Sequence, residues 1–170
     1  VYRPVNRLDK GTSGLMLAAR TAHAQHLLQR LLHGSEFIRE YLAVVEGAPP
    51  QTEGVIALPI GKADGATIRR EVRADGKPAR TYYCVLETLG GRSLLRLRLD
   101  TGRTHQIRVH LSALGCPVAG DFLYGTELDS LPGRFALHSA LVRLRHPVTG
   151  EWIERESPLP SELSVLLRRE

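Results

Sequence analysis

In the stretch 93–99, Leu95, Leu97 and Leu99 alternate with Arg96 and Arg98, the period of a strand with one buried face. The run 81–89 (TYYCVLETL) precedes it across Gly90-Gly91, a dipeptide suited to a tight hairpin turn. Residues 37–46 (FIREYLAVVE) are rich in β-branched and aromatic side chains and end at Gly47 before Pro49-Pro50, which predicts a strand and then a turn. The apolar run 15–19 (LMLAA) predicts a short buried strand, 54–60 another, and 135–145 with 151–156 a strand pair around a turn at 147–150. Helical spacing appears three times. Ala24, Leu27, Leu28 and Leu31 follow Thr21 as an N-cap, with Gly34 as the stop. Ile107, Leu111 and Leu114 share a face behind Thr104 as a cap, with Gly115 past the end. Leu163, Leu166 and Leu167 mark a last amphipathic helix from Ser161. Strands and helices intersperse without a regular βαβ rhythm, repeat or linker, which predicts an α+β fold with a largely antiparallel sheet.

Composition narrows the class. The chain has 170 residues, a length for one domain, and surface scaling allows about 70% of its surface to be buried. Hydrophobic residues make up 42% and charged residues 24%, which excludes disorder as a description of the whole chain. No apolar run approaches the roughly 20 residues of a membrane-spanning helix, and no secretory signal opens the sequence. Val1 falls in what reads as mid-element, without an initiator Met, so the sequence reads as a fragment, a processed form or a chain with an incompletely ordered N-terminus. Cys84 and Cys116 form no CxxC pair. They read as reduced thiols of a cytosolic protein rather than as zinc ligands.

The net charge of +5, carried mostly by Arg, favours a polyanionic partner, most readily a nucleic acid. More than half of it lies in 62–80, where Lys62, Arg69, Arg70, Arg73, Lys77 and Arg80 stand against Asp64, Glu71 and Asp75. With Gly65 and Gly76-Lys77-Pro78 this segment reads as a loop or hairpin, either a solvated basic arm or one that contacts phosphates.

Three segments carry candidate chemistry. In Asn6-Arg7-Leu8-Asp9-Lys10-Gly11-Thr12-Ser13-Gly14, a carboxylate between two cations stays ionised and is able to act as nucleophile or base; alternatively Asp9 closes a turn on its own backbone. In Thr101-Gly102-Arg103-Thr104-His105-Gln106-Ile107-Arg108-Val109-His110, an arginine in the first turn of a helix opposes the dipole and so answers to an anion, functional or structural. His105 and Arg108 share a face there. Gly120-Asp121-Phe122-Leu123-Tyr124-Gly125 is a glycine-bounded aromatic turn whose plain reading is packing onto the core. No nucleophile elbow surrounds Ser13, and neither a Walker A motif nor a dinucleotide fingerprint is present.

Taken together these residues resemble the RluA-like family of pseudouridine synthases. Residues 6–14 resemble its H-R-L-D-x-x-T-S-G motif, with Asn6 in place of the common His, and 39–47 (REYLAVVEG) resemble K/R-x-Y-x-A-x-V-x-G. Residues 101–110 match T-G-R-x-H-Q-I-R-x-H throughout, and Gly120-Asp121 with Tyr124-Gly125 resembles G-D-x-x-Y-G. Phe135-Ala136-Leu137-His138-Ser139 with His146-Pro147 resembles its C-terminal strand pair.

The resemblance implies the pseudouridine synthase fold, a mixed, mostly antiparallel sheet around a central RNA-binding cleft, with 1–170 as the catalytic domain. The family's Lys-Pro-x-Gly strand is expected upstream of Val1. It implies isomerisation of a uridine in RNA to its C-glycoside, with no cofactor or metal. Ribosomal RNA is the first expected partner and transfer RNA the second. Asp9 is then the catalytic aspartate, Arg108 its partner and Tyr41 the ring under the uracil. Arg7, Arg103 and His105 become substrate contacts, with Arg69, Arg70 and Arg73 contacting phosphates. A cytoplasmic monomer without membrane attachment is the expected setting. Two other readings stand beside this one: a non-catalytic RNA-binding or chaperone module on the same fold, and a metal-dependent nuclease using Asp9, Asp121, His105 and His110.

Overall fold

The computed structural model describes residues 1–32 and 34–168. Three two-residue strands open the chain, β1 (Arg3–Pro4), β2 (Ser13–Gly14) and β3 (Ala18–Ala19), followed by helix α1 (Ala22–Leu31). Strands β4 (Phe37–Glu46), β5 (Glu53–Ile56), β6 (Ile60–Lys62), β7 (Arg70–Val72), β8 (Thr81–Leu89) and β9 (Arg92–Leu99) lead to helix α2 (Gln106–Ala113). The chain closes with β10 (Leu137–Arg145), β11 (Trp152–Glu156), the single-turn α3 (Ser161–Ser164) and a 3-10 turn (Val165–Leu167).

The main sheet runs β11-β10-β4-β9-β8-β5, each neighbouring pair antiparallel. One edge of β10 is shared. Its first residues pair in parallel with β2 at His138 and Ser139, and its second half pairs with β11 from Leu141 onward. The β8–β9 hairpin turns on Gly90 and Gly91, both at positive φ (61° and 77°), the backbone signs of a type I′ turn. A bulge between Ser139 and Leu141 breaks the β4–β10 register beside Tyr41. The main core joins β4 and β9 (Ala43, Val44, Leu95 and Leu97, each fully buried) to Leu111, Phe135 and Leu163. A second cluster, Val5, Leu28, Phe37, Val142 and Leu144, fastens α1 and the N-terminal segment to the sheet.

Four expectations need correcting. The run 15–19 is no buried strand: only Ala18–Ala19 pairs, with β1, while Met16 is exposed and Leu15 and Leu17 are half-buried. Gly14, at φ 101°, turns the chain away from β10 there. The strand placed at 54–60 stops at Ile56 and a new one begins at Ile60; Pro59 lies between them and has no N–H for a ladder. Helix α2 begins at Gln106, capped by no side chain; His105 occupies the left-handed region at φ 58°, so Thr104 does not serve as the cap. That helix is also not amphipathic in its environment, because all six residues 106–111 are buried. Thr21 caps α1 as expected, its Oγ1 accepting the Ala24 N–H at 3.1 Å.

Candidate active site

The loop after β1 places Asp9. Its backbone carbonyl closes the turn by accepting the Thr12 N–H at 2.9 Å, so the carboxylate is left for another partner. Gly11 lets this loop lie against Phe135, whose ring would stand 2.5 Å from a Cβ there. The partner is Arg108, in the first turn of α2, whose Nη1 donates to Asp9 Oδ2 at 3.3 Å.

Arg108 itself is held from behind. Nε donates to Asp121 Oδ2 at 2.6 Å and Nη2 to Oδ1 at 2.8 Å, a two-pronged pair in which Asp121 is wholly buried and Arg108 3% exposed. Asp121 Oδ1 also accepts the backbone N–H groups of Leu123 and Tyr124 at 3.0 and 3.2 Å. The guanidinium lies 4.1 Å from the Phe135 ring centroid and 4.9 Å from that of Tyr124. Burial alone would lower the Arg108 pKa; the bonds and charge of Asp121, then of Asp9, outweigh it and hold the group above its ordinary value. With Asp121 balancing its charge, Arg108 presents one N–H at a fixed angle to Asp9, which stays 17% exposed and open to a reactant.

Gln106 secures the approach. Its Oε1 accepts from Thr101 Oγ1 at 2.7 Å and from the Arg103 N–H at 3.0 Å, while Nε2 donates to Arg80 O and Thr81 Oγ1. Every polar atom of the amide is used, which pins the 101–105 loop over the sheet. Tyr41, on β4 between Leu97 and Ser139, is 5% exposed. Burial raises its pKa, Arg39 opposes that and Asp9 adds to it, so the phenol stays protonated.

These side chains bound one open cleft of about 390 Å³, within the usual range for small-molecule sites. Asp9, Tyr41, Arg108, Arg7, Arg103 and His105 all line it. Arg69, Arg70 and Arg73 do not. They belong to the β6–β7 hairpin, which meets the site through Tyr124: its hydroxyl accepts the Arg70 N–H at 2.8 Å, and Arg69 lies over its ring. Arg73 is held by Asp64, Glu71 and Asp75 within that hairpin. The nuclease set is not assembled. Both oxygens of Asp121 serve Arg108, and His110 is turned to Thr81 and Leu58 O. No group of three or more His, Cys, Asp or Glu side chains among the described residues is placed to hold a metal ion.

Two residues hold the site in roles that the sequence does not assign them. Asp121 was legible only in part: the arginine in the first turn of α2 demanded an anion, but not this one. Gln106 had no signal beyond its motif.

The histidines give the site a pH limit. Tyr124 accepts the Arg70 N–H at 2.8 Å, and its hydroxyl shares a second hydrogen bond of 2.8 Å with His105 Nδ1. His110 donates from Nε2 to Leu58 O at 2.9 Å and accepts from Thr81 at Nδ1. Burial depresses both pKa values below the ordinary 6.5; for His105, Asp9 opposes this while Arg108 and Arg70 reinforce it. The unfolded chain therefore takes up protons first as the pH falls. Their stabilisation is present above about 6.5 and is lost below it. The urea midpoint is expected to fall between pH 7.5 and 5.5; a flat midpoint would show that neither imidazole is held neutral.

A sequence model described as RNA pseudouridylate synthase matches residues 1–113. An uncharacterized RNA pseudouridine synthase of Chloroflexus aurantiacus is 45% identical over 166 residues, 97% of this chain and 52% of that protein. Ribosomal large subunit pseudouridine synthase D of Nitrosomonas europaea is 45% identical over 173 residues, 96% of this chain and 50% of that protein. The chain thus spans about half the length of these relatives. Among solved structures, human RNA pseudouridylate synthase domain containing 1 superposes with a TM-score of 0.78 at 32% identity, covering 93% of this chain and 69% of that one.

Proposed function

Because the chain belongs to the RNA pseudouridylate synthase family, we propose that it isomerises uridines of RNA to pseudouridine, with Asp9 as the reacting carboxylate. The observation that carries this reading is the Asp121–Arg108–Asp9 relay, which holds one accessible carboxylate in a cleft floored by Tyr41. Binding RNA alone has no use for such a group, since a carboxylate repels phosphate.

In this reaction the C1′–N1 bond breaks, a C1′–C5 bond forms, the C5 proton leaves and N1 gains one. Substrate and product are isomers, so no oxidant, reductant or group donor enters the balance. The target base must leave its stack to reach Asp9, at a cost of a few kcal/mol. Tyr41 offers it a ring face. Arg7, exposed at the rim, fills the vacated stack or holds a neighbouring phosphate, and Arg103 and His105 contact the strand across the cleft. Arg69 and Arg70 extend the cationic surface over the β6–β7 hairpin toward flanking phosphates, with Arg73 bracing it. Ribosomal RNA is the substrate favoured by the name of the Nitrosomonas relative, and transfer RNA is the second candidate. The protein works as a cytoplasmic monomer, a setting that suits its two unpaired thiols, Cys84 and Cys116. No described helix is long and apolar enough to cross a membrane.

The test is tritium release from RNA labelled at uridine C5, with ribosomal and transfer RNA as separate substrates. Release from either supports the isomerase, and the comparison ranks the substrates. RNA binding without release from both moves the chain to the non-catalytic RNA-binding module.

A further inference from the structure

Arg39 is a buried cation of the cleft that no carboxylate answers among the described residues. It is 7% exposed, and its Nε has no hydrogen-bond partner among the described residues. What it does touch is modest: Nη2 donates to Leu32 O at a long 3.4 Å, and the guanidinium lies 5.5 Å from the Phe37 ring centroid. Arg108, equally buried, directs three donors at two carboxylates. An unpaired buried guanidinium is costly, so its place in a fold needs a partner that arrives from outside.

The position says where that partner comes. Arg39 and Tyr41 are two residues apart on β4, so both side chains emerge on the same face, about 6.6 Å apart along the strand. Both line the cleft, together with Gly102 and Arg103. Gly102 leaves room beside the guanidinium: a Cβ there would stand 3.6 Å from Nη1. Among the described residues, the cleft is lined by Arg7, Arg39, Arg103 and Arg108 against a single acidic residue, Asp9. Asn6, 8% exposed and also lining it, has a second orphaned donor: Oδ1 accepts the Leu17 N–H at 2.9 Å, while Nδ2 has no partner among the described residues. Two buried donors without partners among the described residues thus belong to residues that line one cleft.

We propose that Arg39 is a phosphate-binding residue, its guanidinium meeting the non-bridging oxygens of the RNA phosphate beside the nucleotide whose base lies on Tyr41. This rests on the isomerase reading for the identity of the strand, but the anion site itself does not depend on turnover. The planar fork of arginine matches two phosphate oxygens, which a lysine does not.

The experiment measures binding of a uridine-rich single-stranded RNA across a range of KCl concentrations, in an Asp9→Asn background, with and without Arg39→Gln. Loss of one phosphate contact reduces the slope of log K against log salt by about 0.7 and weakens binding roughly tenfold at low salt. Arg39→Lys restores the slope but not the full affinity, an outcome that a merely structural role would not produce. An unchanged slope in a folded Arg39→Gln protein overturns the proposal. If Arg39→Gln fails to fold, the Arg39 Nε–H resonance of the unmutated protein decides: it shifts on addition of inorganic phosphate, or it stays in place and the site is refuted. C5 tritium release by the unmutated chain is read alongside. Release with an unchanged slope removes Arg39 alone, whereas a changed slope without release leaves the phosphate site standing and removes the isomerase.

Discussion

Asp9→Asn is expected to lower C5 tritium release by at least about 1,000-fold while leaving the fold and RNA binding in place. The amide keeps the shape of the side chain, and its oxygen still accepts from Arg108 Nη1 across a contact of 3.3 Å. What disappears is the charge and the lone-pair reactivity that the reaction requires. Stability changes little, because Arg108 keeps its two bonds to Asp121 and because Asp9 contributes a single contact at a part-exposed position. RNA affinity holds or rises, since the only acidic group lining the cleft among the described residues has been neutralised. Single-turnover release, the urea midpoint and RNA affinity measured on one preparation check all three. Parental release would take Asp9 out of the reaction.

Asp121→Ala has the opposite profile, with the larger loss in stability. It leaves Arg108 buried against three aromatic rings with only the long bond to Asp9, and it strips the Leu123 and Tyr124 N–H groups of their acceptor. Breaking a buried pair by removing one partner costs about 3–5 kcal/mol, read from denaturant unfolding. Turnover in the surviving folded fraction falls about 100-fold, since Arg108 is drawn onto Asp9 and the carboxylate loses its angle. Asp121 is thus a positioning residue. Replacing both members, Asp121→Leu with Arg108→Met, recovers much of the stability and none of the activity, because the cost lay in the orphaned charge. Parental stability in Asp121→Ala would show that Arg108 needs no buried counter-charge.

The contrast between these variants shows where the sequence was informative. The β8–β9 hairpin was legible because both of its signals are local: leucine alternation sets which face is buried, and Gly90-Gly91 supplies the positive φ that the turn demands. Strand β4 was legible for the same reason, with boundaries at 37 and 46 as read from its composition and the following Gly47. The run 15–19 misled because apolar composition without periodicity does not distinguish a buried strand from a segment that turns between two partners. Helix α2 misled because spacing alone does not reveal a loop folded over the outer face. Tyr124 joins that loop to the site, bonding His105 while its backbone carbonyl accepts from Ser112.

The same division runs through the site. Asp9, Tyr41 and Arg108 were readable as a set because each sits in a short motif whose residues are neighbours in the chain, and the tertiary structure brings all three to one cleft. The partners of a buried charge follow another rule. Arg108 takes one carboxylate 13 residues away and another 99 residues away, and nothing in the linear order weighs the two. Arg39 opens the K/R-x-Y motif in sequence, but nothing in the linear order shows that it is buried or which group it meets. By itself the sequence determined the alternation of strands, the turns, the net positive charge and the motif residues, because these depend on neighbouring residues or on composition. The tertiary structure alone decided that Asp121 neutralises Arg108, that Gln106 pins the approach loop and that Arg39 lines the cleft with no carboxylate partner among the described residues. Burial and partner geometry are properties of packed elements, and packing brings together residues that the chain keeps far apart.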